Sequence, residues 1–240
     1  MIEMIRRFLR QKFENPILAI ALAVLALMVA FPIALSGDQR GFQTSILAWI
    51  VIAAGSVSKD ASTGALQMIL ARPLRRTDYL FGRYLGVLCA SGIFLVVCAL
   101  LAALFAAALL PALHIPAAPI SPPMLARGVI GAFLGGVLFS ATLLFFSTFL
   151  PGYGDVLGYF LLGILFSVLA GLGDTLKKPW MTRAFRTAQE NVLPNPNWDE
   201  ILRGENPLGA ATGRWVLAVA VFLLAAALIF SRREFAYGQD

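Results

Sequence analysis

The chain has 240 residues, of which 59% are hydrophobic and only 13% charged, and its mean hydropathy is +0.81. A soluble domain is about half apolar and about a quarter charged, so this composition excludes a single water-soluble core, a disordered chain, a collagen-like chain and a disulfide-stapled secreted domain. The net charge of +6 and pI near 9.7 do not point to nucleic acid, because the basic residues sit in short runs beside apolar segments, where they anchor helices and set topology.

The expected fold is an all-α polytopic membrane protein. About 20 helical residues cross the hydrocarbon, and charge-free apolar stretches place six spans at 16–35, 43–58, 84–110, 126–150, 155–172 and 214–231. Glu14 and Asp38 bound the first span. The second falls between Arg40 and Lys59, with its apolar part near 45–57. A stretch rich in proline (Pro111, Pro116, Pro119, Pro122, Pro123) is expected to break the helix after the third. Pro151-Gly152-Tyr153-Gly154 turns the chain between the fourth and fifth, and Asp155 suits the N-cap of the fifth. Arg232-Arg233 stops the sixth.

Lysine and arginine in short flanking segments set sidedness. Arg6, Arg7, Arg10 and Lys12 precede the first span; Lys59, Arg72, Arg75, Arg76 and Arg83 lie between the second and third; Arg232 and Arg233 follow the sixth. These segments share one side of a six-span protein, and the links after spans one and three offer only Arg40 and Arg127. Both termini are therefore expected in the cytoplasm. The 173–210 segment then lies outside. Its Lys177, Lys178, Arg183, Arg186 and Arg203 are balanced by Asp174, Glu190, Asp199, Glu200 and Glu205. It reads as a cap of short amphipathic helices, with Trp180, Phe185 and Trp198 at an interface and a turn at Pro194-Asn195-Pro196. Arg6-Arg7 precedes an apolar core too long for a signal peptide, so the first span is read as uncleaved.

Chemistry is sparse. The span interiors carry no ionisable residue that would mark an ion or proton route. His114 is the only histidine, so neither an HExxH motif nor an imidazole cluster exists, and no lysine follows a glycine, which excludes the phosphate-binding loop. Cys89 and Cys98 stand nine residues apart in one apolar helix, about 180° around its axis, and can neither pair there nor share a metal. The chain is read as non-enzymatic, with no catalytic, cofactor or metal residue of its own. Gly82/Gly86, Gly131/Gly135, Gly136/Ser140 and Gly154/Gly158 have the spacing that lets helix backbones approach, within the chain or at a dimer seam.

The stretch Asp60 to Gly86, DASTGALQMILARPLRRTDYLFGRYLG, is unusual for a membrane protein. Ser62-Thr63-Gly64 can start a helix, and Leu66, Ile69 and Leu70 form one apolar stripe. Pro73 ends it, Arg72, Arg75 and Arg76 cluster at the turn, and Thr77 and Asp78 cap the helix leading into span three. The residues alone fit an amphipathic helix along the cytoplasmic face over 60–77, or an ordinary basic interfacial helix that holds topology.

This run resembles the coupling-helix region of ABC-2 type permeases, the membrane subunits of type V ATP-binding-cassette exporters. Asp60, Gly64, Leu70, Ala71, Arg72, Pro73, Arg76, Tyr79, Leu80, Gly82, Arg83, Leu85 and Gly86 carry the match, and where the family often has Glu this chain offers Asp60 or the neighbouring small residues. More loosely, residues 1–15 resemble the family's amphipathic N-terminal interface helix, with Ile5, Phe8, Leu9 and Phe13 against Arg6, Arg7 and Arg10. The resemblance implies a permease whose ATP and magnesium sit on a separate ATP-binding-cassette ATPase subunit. A second permease copy or a paralogue would complete a dimer in a bacterial-type inner membrane. It assigns contact with the ATPase to Asp60, Gly64, Leu66, Ile69, Leu70, Arg72, Pro73, Arg76 and Tyr79, and the interface helix to Ile5, Phe8, Leu9 and Arg10. The competing expectation is an accessory scaffold of a larger membrane complex.

Overall fold

The structure, a computed structural model, describes residues 2–57, 60, 76–206 and 208–232, with Gln39 and Arg40 described in backbone only. The described residues are helical, with no strand among them. Helix α1 covers Ile2–Phe13, with Glu3 in its first turn and Arg10 and Lys12 in its last, charges that complement the helix dipole. Helix α2 covers Pro16–Ser36. Asn15 caps it, accepting from the amides of Ile17 (3.1 Å) and Leu18 (3.4 Å), and Pro16 takes the first-turn position that needs no donor. Gly37 ends it in the left-handed region (φ 64°) and donates to Ile33 O at 2.9 Å.

A 3₁₀ stretch, Gln39–Ser45, leads into α3, Ile46–Ala53. Helix α4 covers Arg76–Leu104 and runs on through a π turn, Phe105–Leu109, to Ala112. Then come α5 (Pro122–Ser147), α6 (Gly154–Thr175), α7 (Pro179–Val192), α8 (Trp198–Arg203) and α9 (Ala210–Arg232). Five of these helices are long and apolar enough to cross a membrane: α2, α4 with its extension, α5, α6 and α9.

The second expected span differs. The described part of the expected 43–58 span is not one long helix; the apolar helical stretch is Gly41–Ala53, part 3₁₀ and part α, and Gly55 (φ 67°) turns the chain just beyond it. Gly41, Thr44 and Ser45 are weak helix formers, and the Thr44 hydroxyl donates to Gly41 O at 2.6 Å, competing with the α-helical ladder. The third span also runs past its expected stop. Pro111 sits inside the last turn, just after the π turn in which Leu110 N–H donates to Phe105 O. That wider turn accommodates a ring with no N–H to give. Its 37 residues measure about 55 Å at about 1.5 Å per residue, so the helix overruns the hydrocarbon.

The described residues group into two units. The first comprises 1–53, 81–137 and 198–205. Its core includes Phe8, Ile33, Trp49, Ile52, Leu95 and Leu110. Gly136 lies against the Trp49 ring, leaving no room for a side chain, and Trp49 also meets Phe133 at 6.1 Å. Trp198, expected at an interface, is buried here, packing its Cβ 3.4 Å from where a Cβ on Gly131 would stand.

The described part of the second unit comprises 54–57, 60, 76–80, 138–197, 206 and 208–232. Phe139 meets Tyr159 edge-on at 4.6 Å, and Phe145 packs with Phe146, Phe149 and Phe222. Helix α7 lies on α6, where Gly173 leaves room for Thr182, whose hydroxyl donates to Asp174 at 2.9 Å. Leu157, Leu161, Ile164, Val168 and Leu172 form an exposed apolar stripe along α6, the face a bilayer would cover.

Candidate functional site

The site begins where α3 ends. After Ala53 the backbone turns through Gly55, and the buried amides of that turn need acceptors. Asp155, in the first turn of α6, supplies one: its Oδ2 accepts from Gly55 N at 2.9 Å while Oδ1 accepts from Val156 N at 2.9 Å. Ser147, the last residue of α5, supplies another, accepting from Val57 N at 3.2 Å, and its hydroxyl hydrogen-bonds the Asp155 carboxyl. Asp155 and Ser147 are both fully buried. Asp155 is therefore not an N-cap, as its sequence position predicts; Tyr153 holds that position without a side-chain bond, and Asp155 reaches 100 residues back along the chain. A buried carboxyl in such a place is sustainable because donors surround it.

Three residues on, the chain reaches Asp60. Its Oδ2 accepts from the Tyr79 hydroxyl at 2.6 Å, and Asp60 and Tyr79 are 7% and 1% exposed. The Tyr79 ring stacks on Phe230, near the end of α9, at 5.9 Å and 18° between planes. One helical turn before Tyr79, Arg76 Nη1 donates to Ser231 O at 3.1 Å. Arg76 and Tyr79 thus meet the last turns of α9, and Asp60 is joined to them through the Tyr79 hydroxyl. Gly64, Leu66, Ile69, Leu70, Arg72 and Pro73, together with the amphipathic helix expected across 60–77, fall on residues outside the described ones.

The interface-helix residues belong to the other unit. Phe8 is 1% exposed and seated on α4, where a Cβ on Gly86 would lie 2.9 Å from its ring and one on Gly82 3.0 Å from Met4 Sδ. The Arg83 guanidinium and Lys12 ammonium lie 5.5 and 5.6 Å from the Phe8 ring centroid, and Arg83 Nη1 donates to Gln11 Oε1 at 3.2 Å. Ile5 and Leu9 are half-buried, and Arg10 is exposed and paired with Glu14 at 2.6 Å. The Gly82/Gly86 spacing is thus used within the chain.

Sequence reasoning missed Gly55, Val57, Ser147, Phe230 and Ser231, and misassigned Asp155. The available signal was an acid at the edge of an apolar run, which in a membrane protein needs partners. Among the described residues no group of three or more His, Cys, Asp or Glu side chains could hold a metal ion. Cys89 and Cys98 are free thiols, one exposed and one buried, as expected for opposite faces of one helix.

Five helices long and apolar enough to cross a membrane are those of an integral membrane protein. No protein-family model matches the chain, and no curated protein shows significant similarity to it.

Proposed function

We propose that the chain is the membrane permease subunit of an ATP-driven exporter of ABC-2 type, receiving a separate ATPase subunit at the 60–79 region. The observation that carries this reading is the run from Asp60 to Gly86, whose acid, glycine, Ala-Arg-Pro elbow and Tyr-Leu-x-Gly-Arg segment match that family's coupling region. The polar anchor around it supports the same reading. A segment that takes up a push needs firm footings, and the flanks of 61–75 are held by Asp155, Ser147, Tyr79, Phe230 and Ser231.

In this reading the chain crosses the membrane six times, with both termini in the cytoplasm of a bacterial-type cell and the 173–210 segment outside. The 3₁₀ stretch and α3 support the sixth crossing. Taken end to end they amount to about 26 Å at about 2.0 and 1.5 Å per residue, close to the roughly 30 Å hydrocarbon. Leu66, Ile69 and Leu70 form the packing wedge, while Arg72 and Arg76 meet acidic ATPase surface or lipid phosphate. ATP hydrolysis on the partner supplies the energy. It shifts this chain only through contacts that differ between two states of the complex. A second copy or a paralogue provides the other half of the route.

Purification of the tagged chain from native membranes in mild detergent tests the reading. The expected result is a stoichiometric ATPase subunit carrying a phosphate-binding loop, lost in the L70E/R76E double variant. Recovery of the chain alone, or within a complex that holds no ATPase, would overturn the permease reading and favour a scaffold.

A further inference from the structure

We propose that Tyr79 is the joint through which displacement of the 61–75 segment reaches the last helix, α9. The inference deepens the permease reading and rests on it for its purpose, but the joint itself is a property of this chain. Both ends of 61–75 are covalently fixed to residues bonded at one place. On the N-terminal side stands Asp60, whose carboxyl accepts from the Tyr79 hydroxyl at 2.6 Å. On the C-terminal side stands Arg76, which donates to Ser231 O at 3.1 Å. Tyr79 then uses its two chemical parts separately. The hydroxyl holds Asp60, while the ring face lies against Phe230 at 5.9 Å.

Burial makes this arrangement stiff. Tyr79, Leu80 and Phe230 are each 1% exposed or less. In a close-packed environment a displaced ring has no void to enter, so its neighbour must move with it. A short hydrogen bond from a phenol to a buried carboxyl is directional and among the stronger side-chain bonds. Motion at the segment's ends is thereby delivered to the final turns of α9, a helix more than 130 residues further along the chain.

Hydrogen–deuterium exchange on the full chain in lipid nanodiscs tests the joint. Tyr79→Phe keeps the ring and its stack but removes the hydroxyl, and it is expected to fold. The expected result is about tenfold faster exchange in the peptide covering 228–232, the loss of one such bond. Asp60→Ala should give at least the same increase, and the double variant should fall short of the sum of the two single ones, because the two substitutions share one bond. Phe230→Leu should in turn raise exchange across 57–60, since coupling is reciprocal. Tyr159→Leu, which breaks a comparable ring pair in the same unit, should change neither peptide. Unchanged exchange at 228–232 in Tyr79→Phe, or an equal rise in Tyr159→Leu, would overturn the joint. Exchange coupling found in a chain that recruits no ATPase would sustain the joint while removing the permease reading.

Discussion

At the scale of single residues, Asp155 organises more of the site than any other side chain. It was legible only as an acid opening an apolar run, because a bond to Gly55 across 100 residues leaves no local pattern. Asp60 and Tyr79 stood out through their motif, yet nothing in the spacing showed that they bond each other. The geometry predicts the consequences of truncation. Asp155→Ala leaves the Gly55 amide and the Ser147 hydroxyl without their buried acceptor, and should destabilise the chain by about 1–3 kcal/mol for each group left unsatisfied. Ser147→Ala orphans the Val57 amide and should act in the same direction with a smaller effect. Thermal unfolding in detergent, followed by loss of the monodisperse peak, checks both. A midpoint unchanged in Asp155→Ala would mean that the turn finds other acceptors.

At the scale of elements, helix seating depends on where glycine is used. The Gly82/Gly86 pair is filled by Met4 and Phe8 of α1, whereas nothing lies within 4 Å of a Cβ built on Gly163 of α6. Gly86→Leu should therefore displace Phe8, at a cost of about 1–3 kcal/mol, and free α1. Faster tryptic cleavage at Arg6, Arg7 and Arg10 in reconstituted protein would register this. Gly163→Leu should leave cleavage and stability unchanged within about 0.5 kcal/mol, as for other surface positions. Five spans were legible because long apolar runs have few other uses. The 43–58 stretch was not, since hydropathy does not reveal how a run divides among 3₁₀ turn, α-helix and a left-handed glycine. Pro111 misled for a similar reason: the π turn that accommodates it has no sequence signature.

At the scale of the whole molecule, residues 54–57, 60 and 76–80 belong to the unit that also contains the end of α5, with α6, α7 and α9. Composition indicated a membrane protein, but this grouping depends on long-range contacts that composition does not record. The proposed topology carries a direct expectation. Reporter fusions after residues 15 and 232 should both report the cytoplasm, and a fusion in 179–192 the opposite side; termini on opposite sides would reduce the crossings to an odd number. The central claim is that the 61–75 segment meets an ATPase. The most direct measurement replaces Leu70 with a photo-crosslinking amino acid in the full chain, irradiates native membranes and identifies the adduct by mass spectrometry. The account predicts an adduct to a nucleotide-binding subunit, diminished when Arg72 and Arg76 are reversed to Glu. An adduct to lipid alone, or to a protein without a phosphate-binding loop, would contradict it.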